Sequence, residues 1–291
     1  MIKHPHKAFS LIEISVVILI IGILIAGIST GVDLFYDSRL ATAQSLTKNA
    51  PVTRIEGLFT WIETTSPESF SPAPKDGASI GLIKDLSFKM DKANFVQTGV
   101  DGLKPIYKQQ NLNNLPALYF DGSNDFLVTE KSYNSSIFSN SQITIFAVIN
   151  YVGADNITAV FLKHELANYR TGLEINGGIV RFDFPNSSKN AMGSSPSTPS
   201  IVNKNIIITA IANKSEQKLY VNSVLEANIV NSENINISNS SDAIYLGRNN
   251  NIMHFPTNFN FGELIIYDRA LTAKELDLVT KYLSKKWAIK I

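Results

Sequence analysis

The chain has 291 residues, 26 Lys and Arg against 25 Asp and Glu, and a formal net charge of +1. With scattered basic residues and no field of one sign, nothing in it resembles a phosphate-tracking nucleic-acid surface. It has no cysteine, which excludes disulfides, thiolate metal sites and cysteine nucleophiles, so a body of this size must be held by its own core.

The first element is Phe9 to Ile28, twenty residues that are apolar except for Ser10, Glu13 and Ser15. As a helix it spans about 30 Å, the thickness of a bilayer's hydrocarbon core. Lys3 and Lys7 precede it, and the next charge after Glu13 is Asp33. A carboxylate inside such a segment is costly and marks a functional position. Two plainer readings stand beside that one. A secretory signal peptide would place Glu13 inside its apolar region, and the nearest Ala-x-Ala, Ala41-Thr42-Ala43, lies far downstream. A simple single-span anchor explains the hydrophobicity but not the spacing of Phe9 and Glu13.

Residues 31–49 contain no proline and carry a loose apolar stripe of Leu34, Phe35, Leu40, Ala41 and Leu46. The sequence predicts one helix from Phe9 to about Asn49, ended before Pro51. Gly22, Gly27 and Gly31 either let it bend or let another helix approach closely.

Lys7-Ala8-Phe9-Ser10-Leu11-Ile12-Glu13 resembles the prepilin signal of type IV pilins and of the pseudopilins of type II secretion. That signal is a short basic leader, a small residue, a cut, then Phe, with Glu at the fifth mature position. The resemblance implies a leader over 1–8, cleavage between Ala8 and Phe9 by a prepilin peptidase, and N-methylation of Phe9. The family usually has Gly where this chain has Ala8. The resemblance further implies that Glu13 pairs with the Phe9 amine once subunits pack. The helix over 9–50 would then sit in a bacterial inner membrane, N-terminus cytoplasmic, before entering a periplasmic or extracellular filament of pilin-like subunits.

Residues 51–57 read as a linker. Beyond Leu58 the pattern changes to short Ile-, Val-, Phe- and Tyr-rich runs bounded by Gly, Asn, Asp and Ser. Strands are predicted at 117–120, 126–129, 143–151, 158–163, 172–175, 179–184, 206–212, 218–221, 243–246 and 259–267. Many short strands without interleaved helices indicate an all-β jelly-roll sandwich. Residues 186–200 read as an exposed loop. A capping box, Thr272 with Glu275, opens a closing helix whose face is Leu276, Val279 and Leu283, with Tyr282 and Trp287 nearby.

The stretch from Phe261 to Leu271, with the helix ending Tyr282-Leu283-Ser284-Lys285-Lys286-Trp287, resembles the C-terminus of laminin-G-like, concanavalin A-like lectin domains. Pro116 to Gly122 leading to Asp125-Phe126-Leu127, then Lys218 to Asn222, Leu246-Gly247-Arg248, Trp61 and the Asp85-Leu86-Ser87 turn agree with it. The resemblance covers residues 58–291 and implies a glycan- or surface-binding module.

Relatives that hydrolyse polysaccharides carry carboxylates at alternate positions on one strand. Here the only close mimic, Glu275-Leu276-Asp277, lies on a predicted helix, where residues two apart diverge. Gly77-Ala78-Ser79-Ile80-Gly81 fits a nucleophile-elbow spacing without the strand before it and helix after it. Asp121-Gly122-Ser123-Asn124-Asp125 reads as a hairpin turn or as a calcium loop. His164-Glu165 lacks a second histidine at helical spacing, so no zinc site is indicated. The expectation is an assembly and adhesion subunit rather than an enzyme, with a membrane-tethered polysaccharide-processing enzyme or a monomeric anchored module as alternatives.

Overall fold

The structure is a computed structural model that describes residues 10–134, 142–153, 157–165, 169–176, 178–183, 192–193, 201–213, 215–230, 241–248 and 258–291. Ala8 and Phe9 lie outside the described residues, as does the loop expected at 186–200 except for 192–193, which form a short strand.

Helix α1 is Leu11–Lys48, continuous over 38 residues. Ser10 is its N-cap, and Asn49 closes it just before Pro51. The three glycines do not interrupt it, and a Cβ built on any of them meets nothing within 4 Å. Its two halves differ in what covers them. The segment Leu11–Ile28 is 0% buried and is long and apolar enough to cross a membrane. Leu40, Ala43 and Leu46 instead pack on the body of the protein.

The body is sheet-rich. Its strands are β1 Leu58–Glu63, β2 Leu82–Ile83, β3 Phe95–Val96, β4 Ile106–Leu112, β5 Leu115–Asp121, β6 Leu127–Thr129, β7 Tyr133–Asn134, β8 Ile143–Tyr151 and β9 Ile157–Glu165. There follow β10 Tyr169–Asn176, β11 Ile179–Asp183, β12 Met192–Gly193, β13 Asn205–Ala212, β14 Glu216–Val221, β15 Val224–Val230, β16 Ser241–Asp242, β17 Ile244–Leu246 and β18 Asn258–Tyr267. Helix α2, Ala273–Trp287, closes the chain with the predicted capping box.

One sheet runs β15-β14-β13-β8-β18-β5-β4, and β1 pairs with β18 alongside β5. The other runs β12-β11-β10-β9-β17-β6-β3-β2, and β7 and β16 form a separate ribbon. The long-range pairings β8–β18, β9–β17 and β5–β18 give the crossed connections of a jelly roll.

The hydrophobic residues form two layers. The first lies between the sheets and includes Phe120, Ile145, Phe182, Ile208, Leu246, Phe259 and Leu264. The rings of Phe120 and Phe259 stack in it, 4.5 Å apart and 2° from parallel. The second covers the outer face of the first sheet. There Trp61, Phe146, Val148, Ile207, Ile265 and Tyr267 meet Val279, Tyr282, Leu283 and Trp287 of α2 and Ala43 of α1. A strand covered on both faces has no solvated side, so the centre of β8 is apolar apart from the buried Thr144, and the Asn260 and Glu263 of β18 are themselves buried.

Two sequence expectations change here. The residues expected to form a linker at 51–57 are packed: Val52 and Ile55 are buried in the outer layer, and the Tyr267 hydroxyl donates to the Val52 carbonyl at 3.0 Å. The run is too short and polar to look like core, but Val52 and Ile55 join the cluster that α2 closes. Of the strands that were not expected, the longest are β4 and β15. Both are edge strands of the first sheet, half open to water, so their polar residues break the alternation by which a strand is recognised.

Candidate functional site

Glu13 stands in the first turn of α1 on the exposed apolar segment. Its Oε2 accepts the Ser10 backbone N–H at 2.7 Å, while the Ser10 hydroxyl accepts from Ile12 at 3.3 Å. In the isolated chain the carboxylate therefore caps its own helix, where the macrodipole favours a negative charge.

The sandwich holds a carboxylate pair that sequence spacing does not reveal, because its members are 200 positions apart. Glu63 ends β1, Glu263 lies on β18, and both are fully buried with Lys286 of α2 between them. Lys286 Nζ is 2.9 Å from Glu63 Oε2 and 2.9 Å from Glu263 Oε2. Trp61 Nε1 at 2.7 Å and the Tyr282 hydroxyl at 2.8 Å donate to Glu263 Oε1, and Trp287 Nε1 donates to Oε2 at 2.7 Å. The backbone N–H and hydroxyl of Thr65 and the N–H of Ser66 donate to Glu63. Burial pushes the Tyr282 phenol well above its ordinary pKa, so it stays a donor. A site this enclosed and this fully bonded admits no substrate; it clamps α2 to the sheet.

Gly262 explains how the helix comes so close. It sits at a register shift in β18, and a Cβ there would lie 2.8 Å from the Trp287 ring. A third carboxylate, Asp85, holds β1 at Trp61. Its Oδ1 accepts from the N–H groups of Trp61 at 3.0 Å and Ser87 at 2.9 Å, and its Oδ2 from Ala93 at 2.9 Å.

The remaining sequence candidates resolve individually. In the loop after β5, Asp125 Oδ2 accepts from the Asp121 N–H at 2.9 Å and Asp121 Oδ1 from the Ser123 N–H at 2.7 Å. Gly122 has φ +78° there, so the loop has the hydrogen bonding of a turn. Burial, more than the neighbouring Asp121, pushes the Asp125 carboxyl up to about 6. Among the described residues no group of three or more His, Asp and Glu could hold a metal ion. Gly77 to Gly81 leads into β2, not a helix. On α2, Glu275 binds Arg269 at 2.6 Å and Asp277 binds Lys281 at 2.8 Å, so neither faces the other. His164 and Glu165 lie on β9, and their side chains are outside the described residues.

Three of the motif pieces meet in space. Gly247, at φ +93°, packs its backbone against the Phe120 ring, where a Cβ would come within 2.6 Å. Arg248 then stacks over Phe126 at 3.9 Å and lies 5.4 Å from the Tyr245 ring. On the outer face of the second sheet, Leu82, Val96, Val128 and Tyr245 stand in register across β2, β3, β6 and β17, each half-buried.

Residues 121–277, more than half of the chain, match the concanavalin A-like lectin/glucanases superfamily. The chain belongs to that superfamily. Residues 3–29 separately match the prokaryotic N-terminal methylation motif, so the lectin-like sandwich is joined to a pilin-type N-terminus. No curated protein matches the chain.

Among solved structures, the superfamily fold is found in the binding domain of Paraclostridial Mosquitocidal Protein 1. That likeness has a TM-score of 0.54 at 15% identity, over 79% of this chain and 52% of that one. Trypanosoma rangeli sialidase in complex with sialic acid gives a TM-score of 0.54 at 12% identity, over 80% of this chain and 34% of that one. The chain thus spans about half of the first structure and a third of the second. At these identities the likeness shows the fold.

Proposed function

We propose that this lectin-superfamily chain is a minor pilin-like or pseudopilin-like subunit. A prepilin peptidase removes 1–8, Phe9 becomes the methylated first residue, and α1 holds the subunit in a bacterial inner membrane until it packs into a type IV pilus or type II secretion-like filament. The sandwich is displayed outside and binds a glycan or another surface without turning it over. The observation that carries this reading is the joining of a methylation motif and an unburied apolar helix to a lectin-type sandwich. A body of about 230 residues is bulky for a major subunit. Because α1 and α2 cover the outer face of the first sheet, the ligand is expected at the second sheet or at the rim near Tyr245 and Arg248. The buried, bonded state of Glu63 and Glu263 supports binding over hydrolysis.

In assembly, Glu13 exchanges the Ser10 N–H for the Phe9 amine of a neighbouring subunit. An ion pair in a low-dielectric core fixes register, because an offset leaves two charges unpaired. Two measurements in the native host test this. Intact mass should show a chain beginning at Phe9; retention of Met1 refutes the pilin assignment. Glu13→Val should reach the membrane at normal levels and be lost from sheared fibres; equal recovery in fibres refutes an assembly role for Glu13. Release of reducing sugar from β-glucans by the purified chain would instead favour the tethered enzyme.

A further inference from the structure

The charges of α1 fix its depth in a bilayer. Glu13 and Asp33 bracket nineteen uncharged residues, 14–32, which as a helix measure about 28 Å, close to the hydrocarbon thickness. With Glu13 at one boundary, the other falls at Asp33. Leu34, Phe35 and Tyr36 then follow within about 5 Å, inside the headgroup layer, where aromatic side chains are favoured. Leu34 and Phe35 are 70% and 60% exposed.

The sandwich reaches the same level. The β4–β5 hairpin faces this part of α1 across a groove of about 370 Å³ lined by Ile28, Gly31, Phe35, Tyr36, Gln110 and Asn114. Asn113 in the hairpin donates to the carbonyl of Trp287 at 2.7 Å, which holds the end of α2 on the same side. Ile291, 49% exposed, and Lys290 follow from there. The docked half of α1 allows the body no independent height: Arg39 donates to the Lys286 carbonyl at 3.3 Å and Gln44 to the Thr65 carbonyl at 3.0 Å.

We infer that, before assembly, the sandwich sits directly on the outer headgroup layer of the membrane, with Phe35, Tyr36, the β4–β5 hairpin and the end of α2 as its seat. The occupant of this face is the phospholipid surface. Lys290 and Arg39 against Asp37 leave a single net positive charge, so charge favours anionic lipid only weakly. The inference rests on α1 spanning a bilayer, as proposed above, and goes beyond it in placing the domain.

The test is lipid quenching of tryptophan in the full chain, reconstituted in phosphatidylcholine vesicles whose acyl chains carry bromine either near the headgroup or near the bilayer centre. The natural Trp61 and Trp287 are 4% and 0% exposed, so wild-type emission is expected to be insensitive to either lipid. Phe35→Trp and Gln110→Trp should both be quenched, more by shallow than by deep bromine. Leu19→Trp should show the reverse order. Gln110→Trp is decisive because it stands on the sandwich and is exposed. If it is unquenched with water-like emission while Leu19→Trp is quenched, the domain stands clear of the membrane and the inference is wrong, although the span survives. If it is unquenched with blue-shifted emission, a second copy covers the face and the inference is equally wrong. If Leu19→Trp is also unquenched, the span and the seat fail together.

Discussion

Replacing Lys286 by Met tests how the sandwich holds its closing helix. The substitution keeps most of the volume and removes one ammonium shared by two fully buried carboxylates, each 2.9 Å away. Breaking a buried pair by removing one partner costs about 3 to 5 kcal/mol. Glu263 keeps three donors from Trp61, Tyr282 and Trp287, and Glu63 keeps those of Thr65 and Ser66. These dipoles soften the loss, so about 3 to 4 kcal/mol is expected, which lowers the melting temperature of a domain this size by about 6 to 16 °C. Glu63→Gln should cost less, since Lys286 and Glu263 remain as a balanced pair. Thermal unfolding of the full chain in detergent, followed by near-ultraviolet circular dichroism, reads this directly, because both tryptophans bond to Glu263. A Lys286→Met shift below about 2 °C, or a larger shift for Glu63→Gln, would refute the argument that the ammonium holds the clamp.

Gly262→Ala should destabilise by about 1 to 3 kcal/mol, because the new methyl meets the buried Trp287 ring; chemical denaturation measures it, and an unchanged midpoint would show that α2 can shift freely. The Asp125 carboxyl is raised in the folded state to about 6, so the native protein holds this proton when the unfolded chain has released it. Its contribution to stability is therefore full below about pH 4 and lost as pH rises to about 6, and Asp125→Asn should flatten that limb of a stability–pH curve. Glu275 has the opposite sign: bonding to Arg269 lowers it to about 2, so its contribution is present above about pH 4 and lost as pH falls toward 2, a loss that Glu275→Gln should abolish. A fragment beginning at Tyr36 should be soluble and melt higher than one beginning at Pro51, which lacks Leu40, Ala43 and Leu46 over the outer layer; equal melting would mean that the docked half of α1 adds nothing.

The parts legible in the sequence are those written locally. The apolar span, the Thr272 capping box and the central strands β8, β13 and β18 depend on neighbours in the chain, and they stand where periodicity places them. The Asp85-Leu86-Ser87 turn and Gly247 also showed as motif pieces, though not what they touch. The buried clamp was illegible because Glu63 and Glu263 meet only through β1–β18 pairing, while Lys286 looks like one more solvated lysine of an amphipathic helix. The sequence also suggests a tether at 51–57, since a short polar run shows no sign of the helix that will cover it. Tyr267 and α2, more than 200 residues later, decide that.

The seating of α1 along the first sheet has a mechanical consequence. A subunit hung from a free tether lets its head swing and absorbs a pull by uncoiling. Here Arg39 and Gln44 tie the helix to α2 and to the loop after β1, Leu40, Ala43 and Leu46 pack on the outer layer between them, and the Val52 carbonyl just past its end is held by Tyr267. A pull on the sandwich directed along α1 loads those contacts together in shear, where peeling would break them one at a time. The head therefore keeps a fixed bearing on whatever α1 is embedded in, and tension from a captured surface passes to the helix with little give.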